Sequence, residues 1–185
     1  WTGALPIESI RRLLYLPAAN GYAKELLVSV SSESGGVWRS DFAGAWTATA
    51  ITNIAANYIV GDQSRVNGNM VYVAAVETGG GIYGLELYSV DSTKSVDLTQ
   101  STNMGSLGYF ADLRKAKALA INPSNPAHLY FGTPYEVFSS SDGGQTWDQK
   151  YTNRVADQWW AGRGLENTVN YDLKIDPANP NRLYV

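Results

Sequence analysis

Short runs of apolar or alternating residues recur along the chain, separated by turn-forming residues. Residues 25–30, 36–40 and 137–140 mix aliphatic, aromatic and small polar side chains, and Gly, Asp, Asn, Pro or Ser lie between such runs. This pattern predicts short β-strands joined by tight turns. Residues 71–76 are apolar at every position, which is typical of a strand covered on both faces. Residues 10–14 fit the start of either a strand or a helix.

The predicted strands fall into sets of four. Their ranges are 10–16, 25–30, 36–40 and 46–51, then 57–60, 70–76, 82–90 and 95–98, then 117–121, 128–132, 137–140 and 146–150. An aspartate lies between the third and fourth strands of each set. These aspartates are Asp41, Asp91 and Asp142, which are 50 and 51 residues apart. A repeat of ~40–50 residues built from short strands is typical of propeller blades.

The most complete of these turns reads SSDGGQTW over residues 140–147. A carboxylate in such a turn accepts hydrogen bonds from turn amides, and the glycines permit positive φ. The tryptophan offers a large face for burial against neighbouring strands. The residues that define the frame are Ser140, Asp142, Gly144, Thr146 and Trp147. Eroded copies keep Ser89 and Asp91 in the second set, and Asp41 and Trp46 in the first.

The pattern S-x-D-x-G-x-T-W resembles the Asp box, or BNR repeat, of sialidases, sortilin-type receptors and xyloglucanase-type glycoside hydrolases. The phrase L-x-I-D-P-x-N-P-x-x-L-Y at residues 173–184 resembles the first two strands of a blade in the same propellers. The resemblance implies an all-β propeller segment of four-stranded antiparallel blades, about three blades plus half of a fourth. One partial domain would cover residues 1–185, with blades near 7–52, 53–100 and 115–152, an inter-blade loop at 153–167 and the start of a fourth blade at 168–185.

Composition narrows the functional classes. The 185 residues are 44% hydrophobic and 17% charged, with 18 Gly and 12 Tyr, which suits a turn-rich all-β protein. A net charge of −3 argues against nucleic acid as a partner, and no apolar run reaches the ~18 residues of a membrane span. The chain has no Cys and one histidine, His128, so we expect no metal site and no cofactor.

Two glutamates are candidates for catalysis. In a four-stranded blade, the turns between strands one and two and between strands three and four lie at one end, and the remaining connections lie at the other. The Asp-box aspartates are therefore expected to be structural, while Glu33 and Glu77 lie in turns at the opposite end, just ahead of glycines. In xyloglucanase-type hydrolases a turn similar to these carries a catalytic aspartate. The alternative is that both glutamates are solvated turn carboxylates.

The aromatic pair Trp159 and Trp160 is predicted to lie in the inter-blade loop at the same end. Indole faces stack on sugar rings, and adjacent indoles in a loop are costly to expose without a function. Arg163 and Tyr109 would extend this substrate-binding surface. Alternatively, one tryptophan fills the gap between two blades. A sialidase-type arginine cluster at the blade starts is not expected from Arg39, Arg65, Arg114 and Arg163.

The resemblance implies two functions. The first is a secreted or cell-surface, glycan-directed propeller that forms part of a xyloglucanase-like glycoside hydrolase, in which this chain would hold at most one carboxylate of the catalytic pair. The second is a non-catalytic, sortilin-like module for protein binding, adhesion or assembly. The expected partners are a polysaccharide or glycan, and a protein or second copy that pairs with an incomplete fourth blade.

Overall fold

The computed structural model is all-β. It describes residues 9–32, 35–40, 42–66, 68–75, 81–86, 95–98, 116–156, 159–162 and 170–185. Within these ranges every element is a β-strand and there is no α-helix. The strands form three four-stranded antiparallel sheets and two two-stranded hairpins. The predicted class of four-stranded antiparallel blades is confirmed.

In each four-stranded sheet, the strands lie side by side in chain order. Blade one contains β1 (Ile10–Leu16), β2 (Glu25–Val30), β3 (Gly36–Ser40) and β4 (Thr47–Thr52). Blade two contains β5 (Ala56–Gly61), β6 (Met70–Ala75), β7 (Ile82–Glu86) and β8 (Ser95–Asp97). Blade three contains β9 (Ala118–Ile121), β10 (Leu129–Gly132), β11 (Val137–Ser140) and β12 (Asp148–Gln149). We letter the strands of each blade A to D in this order.

Residues 10–16 form a strand, which settles the choice between helix and strand left open by their sequence. Strand β1 pairs antiparallel with β2, and Leu14 lies opposite Leu27. Leu16 and Leu27 are fully buried in a cluster that joins blade one to blade two. Because alternate residues of a strand face opposite sides, Leu14 and Leu16 lie on the same face of β1 and pack into this cluster.

Two hairpins follow blade three. Strand β13 (Thr152–Ala156) pairs with β14 (Trp159–Gly162), in the region predicted from the sequence to be an inter-blade loop. Threonine, valine and tryptophan favour strands, and their pairing across a short turn explains why this segment is a hairpin. Strand β15 (Lys174–Ile175) pairs with β16 (Leu183–Tyr184) across the Asp-Pro turn that the sequence indicates.

Strand β6 lies between two hydrophobic clusters. Val71 and Val73 pack with residues of blade one, whereas Tyr72 and Ala74 pack with residues of blade three. All four are at most 3% exposed, as the uninterrupted apolar run predicts. A third cluster joins blade three to Leu173, next to β15. Each blade is therefore held to the next by the faces of its sheets, and the A strands of successive blades lie beside one another.

Candidate functional site

The blades have two chemically different ends. At the AB–CD end lie the turns that join strand A to B and strand C to D. At the BC–DA end lie the turns that join strand B to C and the connections from one blade to the next. Asp142 lies at the first end, and the β13–β14 hairpin with Trp159 and Trp160 begins at the second.

The blade-three CD turn (residues 140–147) is closed by side-chain hydrogen bonds. The Ser140 hydroxyl donates to Asp142 Oδ1 at 2.7 Å and accepts from the Gly144 amide at 2.8 Å. The Thr146 amide donates to Asp142 Oδ1 at 2.9 Å, and the Thr146 hydroxyl donates to Oδ2 at 2.5 Å. Both carboxylate oxygens are therefore used inside the turn, which supports a structural role for Asp142.

The pKa of Asp142 reflects these bonds. Burial acts to raise it, but hydrogen bonds from the side chain and backbone of Thr146, and from Ser140, favour the charged form. The hydrogen bonds prevail, and the pKa of Asp142 lies below its ordinary value of 3.8.

Two glycines let the same turn approach its neighbours closely. Gly143 and Gly144 have φ values of 74° and 91°, in the left-handed region that glycine adopts readily. A Cβ atom on Gly144 would lie 2.7 Å from Leu98 Cδ1, next to strand D of blade two. The Gly143 amide donates to the Ala127 carbonyl at 2.9 Å, which joins the CD turn to the AB turn of the same blade.

Trp147 is the last residue of the turn, and its side chain is buried in the core. It is 1% exposed, and its ring meets Phe131 edge-on with the ring centroids 4.7 Å apart. Phe131 stacks on Phe138 at 4.5 Å, and the three rings share a cluster with Tyr72 and Leu98 of blade two. The prediction that Trp147 is buried between blades is confirmed.

At the BC–DA end, the blade-one BC turn shows why glycines follow Glu33. A Cβ atom on Gly35 would lie 2.4 Å from the Val30 carbonyl oxygen, and one on Gly36 would lie 2.2 Å from the Ile51 carbonyl oxygen. Gly36 also has a φ of 108°. Backbone packing, rather than ligand binding, accounts for both glycines.

The blade-three BC turn contains a buried carboxylate, Glu136, for which the sequence predicts no role. Glu136 is 0% exposed. Its Oε1 accepts from the Val137 amide at 2.9 Å and from the Tyr151 amide at 2.6 Å. Its Oε2 accepts from the Thr152 hydroxyl at 2.6 Å and lies 3.5 Å from Gln149 Nε2. Four donors around one carboxylate fix the BC turn against the end of blade three.

The surroundings of Glu136 are also buried. Asn170 is 2% exposed, and its side-chain amide donates to the Thr133 carbonyl at 2.7 Å, across the same turn. Burial, and then the neighbouring charge of Glu136, raise the pKa of Tyr151 above its ordinary value of 10.0. With no exposed surface and its oxygens already engaged, Glu136 positions the chain and does not reach a ligand.

Glu136 holds the base of the β13–β14 hairpin, because Thr152 is the first residue of β13. In this hairpin Arg154 pairs with Trp160 and Ala156 pairs with Trp159, and the register shifts between Arg154 and Ala156. Bulges of this kind are common beside functional sites. The structure therefore brings the two predicted tryptophans into one paired element that is anchored to blade three.

A polar cavity of about 390 Å³ lies beside the starts of the A strands. It is lined by Ile10, Arg11, Arg12, Asn57, Tyr58 and Lys117. Arg11 and Arg12 lie at a blade start, where the sequence predicts no arginine cluster from Arg39, Arg65, Arg114 and Arg163. Two adjacent arginines at the start of an otherwise apolar strand are the signal that could have identified them.

No protein-family model matches the sequence, and no curated protein matches it. Among solved structures, the crystal structure of the Niastella koreensis GH74 enzyme aligns with 95% of this chain and 27% of its own, with a TM-score of 0.64 and 18% identity. The crystal structure of an ancestral GH74 enzyme aligns with 95% of this chain and 21% of its own, with a TM-score of 0.58 and 17% identity. YCF48 bound to D1 peptide aligns with 76% of this chain and 39% of its own, with a TM-score of 0.47 and 18% identity.

The chain has the β-propeller fold. It spans about a quarter of the length of the two GH74 structures. The predicted resemblance to xyloglucanase-type propellers is supported at the level of the fold. The two-stranded sheet of β15 and β16 follows blade three as half of a further blade.

The predicted site residues divide into those that the structure describes and those outside the described ranges. Trp159 and Trp160 lie in β14, and Trp46 precedes β4 and is half-buried. The residues outside the described ranges are Glu33, Glu77, Tyr109, Arg163, Asp41, Ser89 and Asp91. Their roles remain predictions.

At the AB–CD end, Arg65 is a structural cation. It is 1% exposed and has a φ of 54°. Its guanidinium donates to the Ala23 carbonyl, and Nη2 lies 3.6 Å from Glu25 Oε2. Burial lowers the pKa of Arg65, although Glu25 acts to raise it. Arg65 thus joins the AB turns of blades one and two and is unavailable to a ligand.

The described residues contain no group of three or more His, Asp or Glu side chains placed to hold a metal ion. In the part of the chain that the structure describes, no helix is long and apolar enough to span a membrane.

Proposed function

We propose that this propeller segment binds a glycan as part of a xyloglucanase-like glycoside hydrolase that is secreted or displayed on the cell surface. The observation that carries the proposal is the β13–β14 hairpin at the BC–DA end, which contains the adjacent Trp159 and Trp160. Tryptophan faces bind the apolar faces of sugar rings, and a binding surface needs a rigid support. The hydrogen bonds of Glu136 to Thr152 and to the Tyr151 amide supply that support.

The shared fold makes a β-linked polysaccharide the first ligand to test. Both GH74 enzymes align with 95% of this chain. One fold can have many functions, so the shared fold only suggests which ligand to test. Whether that ligand binds depends on the residues of the site.

Catalysis would require two carboxyl groups, ~6.5–9.5 Å apart in an inverting hydrolase and ~5–5.5 Å apart in a retaining one. Glu33 and Glu77 belong to the BC turns of successive blades, and each is a candidate for one member of a pair. In xyloglucanase-type enzymes the pair faces across a cleft between two propellers. We therefore expect this segment to bind xyloglucan without hydrolysing it, unless a second propeller supplies the other carboxylate.

The test compares retention on xyloglucan, on unsubstituted β-glucan and on an unrelated neutral polysaccharide, by affinity electrophoresis. The double variant Trp159→Ala, Trp160→Ala should bind at least ~10-fold more weakly than the wild type, equivalent to about 1.4 kcal/mol. The matched control is Phe42→Ala, Tyr184→Ala, which removes two exposed aromatic side chains near the AB–CD end. The control should bind as the wild type does.

Equal retention of the wild type and the tryptophan variant on every glycan would contradict the proposal. The sortilin-like alternative, a module for protein binding or assembly, would then become the better description. Reducing-end assays with Glu33→Gln and Glu77→Gln separate catalysis from binding. These assays are made with a second propeller present, where the wild type hydrolyses xyloglucan. Loss of hydrolysis in one variant would make that glutamate catalytic, and unchanged hydrolysis in both would remove them from the catalytic assignment.

A further inference from the structure

Positively charged side chains line the cavity at the starts of the A strands, although the chain as a whole is acidic. The sequence has 17 acidic and 14 basic residues, yet of the six described residues that line this cavity, three are cations, Arg11, Arg12 and Lys117. Arg11 and Arg12 come from blade one, and Lys117 comes directly before the A strand of blade three. We term it the cationic cavity.

These cations are not neutralised by the described part of the chain. The Arg11 Nε donates to the Ser31 hydroxyl at 2.8 Å, which orients the guanidinium without changing its charge. No ion pair joins Arg11, Arg12 or Lys117 to a carboxylate of the described residues; the ion pairs found there lie elsewhere, for example between Lys174 and Asp172. Three like charges at one opening raise the local concentration of anions.

An ordered aromatic ring supports the cavity. The Arg12 guanidinium lies over the Tyr58 ring, 5.1 Å from its centroid. The Tyr58 hydroxyl donates to the Tyr171 carbonyl at 3.1 Å, so the ring is fixed between blade two and the residues that precede β15. A guanidinium held on a fixed ring loses less conformational freedom when it binds a planar anion.

The remaining lining residues suit a ligand that also has neutral polar groups. The Asn57 side chain makes no hydrogen bond to the described residues and can donate to or accept from hydroxyls. The cavity volume of about 390 Å³ lies within the ~300–1,000 Å³ of small-molecule sites. Arginine binds carboxylates through two parallel hydrogen bonds.

We propose that the cationic cavity binds the carboxylate of an acidic glycan, a chain that contains uronic acid units. The proposal rests on the proposed function for the glycan part of the ligand, whereas the required negative charge follows from the cavity itself. The cavity lies at the same end of the blades as the β13–β14 hairpin. A branched or mixed polysaccharide would then contact the hairpin through neutral sugars and the cavity through an acidic one.

The test is isothermal titration calorimetry of the chain with trigalacturonate and with its fully methyl-esterified form, which has the same rings without the charges. The wild type should bind trigalacturonate at least ~10-fold more tightly than the ester. The variant Arg12→Gln, Lys117→Gln should lose at least ~10-fold in affinity for trigalacturonate. Arg12→Lys should lose less, because it keeps the charge but not the paired hydrogen bonds.

The matched control is Lys150→Gln, Arg182→Gln. It also removes two positive charges, but these already pair with Asp148 and Asp176. It should change the affinity by less than ~2-fold. An equal loss in the control and the cavity variant would overturn the proposal, because net charge alone would then explain binding. Circular dichroism and thermal unfolding verify that each variant is folded.

Two further ligands separate the possible failures. Neutral β-glucan that binds while trigalacturonate does not would overturn the cavity proposal and leave the proposed function intact. Failure of every neutral and acidic glycan would contradict both. Poly-glutamate that binds more tightly than trigalacturonate at equal charge would overturn the glycan assignment and indicate an acidic protein instead.

Discussion

The CD turns of blades one and three occupy the same place in the repeat but differ in what they do. In blade three, Asp142 receives hydrogen bonds from Ser140 and Thr146, and Trp147 is 1% exposed. In blade one the Ser40 hydroxyl accepts from the Phe42 amide at 3.2 Å, and Trp46 is only half-buried. One turn is built into the core, and the other lies at the surface.

The neighbours of the two turns explain the difference. In blade three the turn packs on Leu98 of blade two through Gly144. In blade one, Phe42 is 40% exposed and meets Tyr15 edge-on at 6.1 Å, with the Lys24 ammonium 4.9 Å from its ring. The complete motif therefore contributes an inter-blade contact, whereas the described contacts of Phe42 in the eroded copy are with residues of its own blade.

The largest expected difference between the two turns concerns their tryptophans. Trp147→Ala should lower the free energy of unfolding by ~3–5 kcal/mol, because it leaves a cavity beside Phe131 and Leu98. Trp46→Ala should cost less than ~2 kcal/mol, because its side chain is half-buried. Urea unfolding followed by circular dichroism measures both. Equal costs would show that the blade-three turn is no more a part of the core than the blade-one turn.

The BC turns give the next largest contrast. The residue before strand C is Glu136 in blade three and Gly35 in blade one. Glu136→Gln should cost ~2–4 kcal/mol, because an amide cannot accept from all four donors, two of which are buried. Gln149→Ala, which removes the donor at 3.5 Å, is the matched control and should cost under ~1 kcal/mol.

If Glu136→Gln were as stable as the wild type, the prediction that this carboxylate anchors the turn would be wrong. Its effect on the β13–β14 hairpin can be followed separately through amide exchange in β13. Faster exchange there, with blade two unchanged, is the expected result.

The glycines of the two CD turns are expected to differ by a smaller amount in the stability cost of substitution by alanine. Gly144 and Gly44 have φ values of 91° and 107°. A Cβ atom on Gly44 meets nothing within 4 Å, whereas one on Gly144 meets Leu98 at 2.7 Å. Gly44→Ala should cost ~1–2 kcal/mol from its φ alone, and Gly144→Ala should cost ~1–3 kcal/mol more because of the added clash. Equal costs in urea unfolding would show that Leu98 moves aside freely.

The smallest effect is the pH dependence of the blade-three turn. The folded-state pKa of Asp142 is below 3.8, so the charged form is bound more tightly in the folded chain. The resulting stability is present above pH 3.8 and is lost as the pH falls through the folded pKa. Asp142→Asn should therefore be less stable than the wild type at neutral pH, and the gap should narrow below about pH 4. A gap that widens in acid would contradict this assignment.

The repeat made most of the fold predictable from the sequence. The spacing of Asp41, Asp91 and Asp142 fixed the period, and the apolar run at residues 71–76 identified a strand with two covered faces. The hairpin β13–β14 was missed because Trp159 and Trp160 stand among polar and glycine residues. The pairing of Arg154 with Trp160 depends on the turn between them, which local propensity does not reveal.

The candidate site was less predictable because its residues meet only in three dimensions. Glu136 looks like an ordinary turn glutamate, and its donors lie up to 16 residues later in the chain. Arg12 and Lys117 are far apart in sequence and line one cavity because the A strands of successive blades are neighbours. Propensity at residues 10–14 left helix and strand open, so the side on which Arg12 lies could not be inferred.

The hydrogen bond from the Gly143 amide to the Ala127 carbonyl has a consequence for how blade three opens. It crosses from the C–D hairpin to the A–B hairpin, so the Gly143 amide becomes available to solvent deuterium when those two hairpins separate. Its exchange rate therefore reports the separation of these two turns rather than fraying of one strand. Comparing that rate with global unfolding would show whether blade three behaves as an independent cooperative unit.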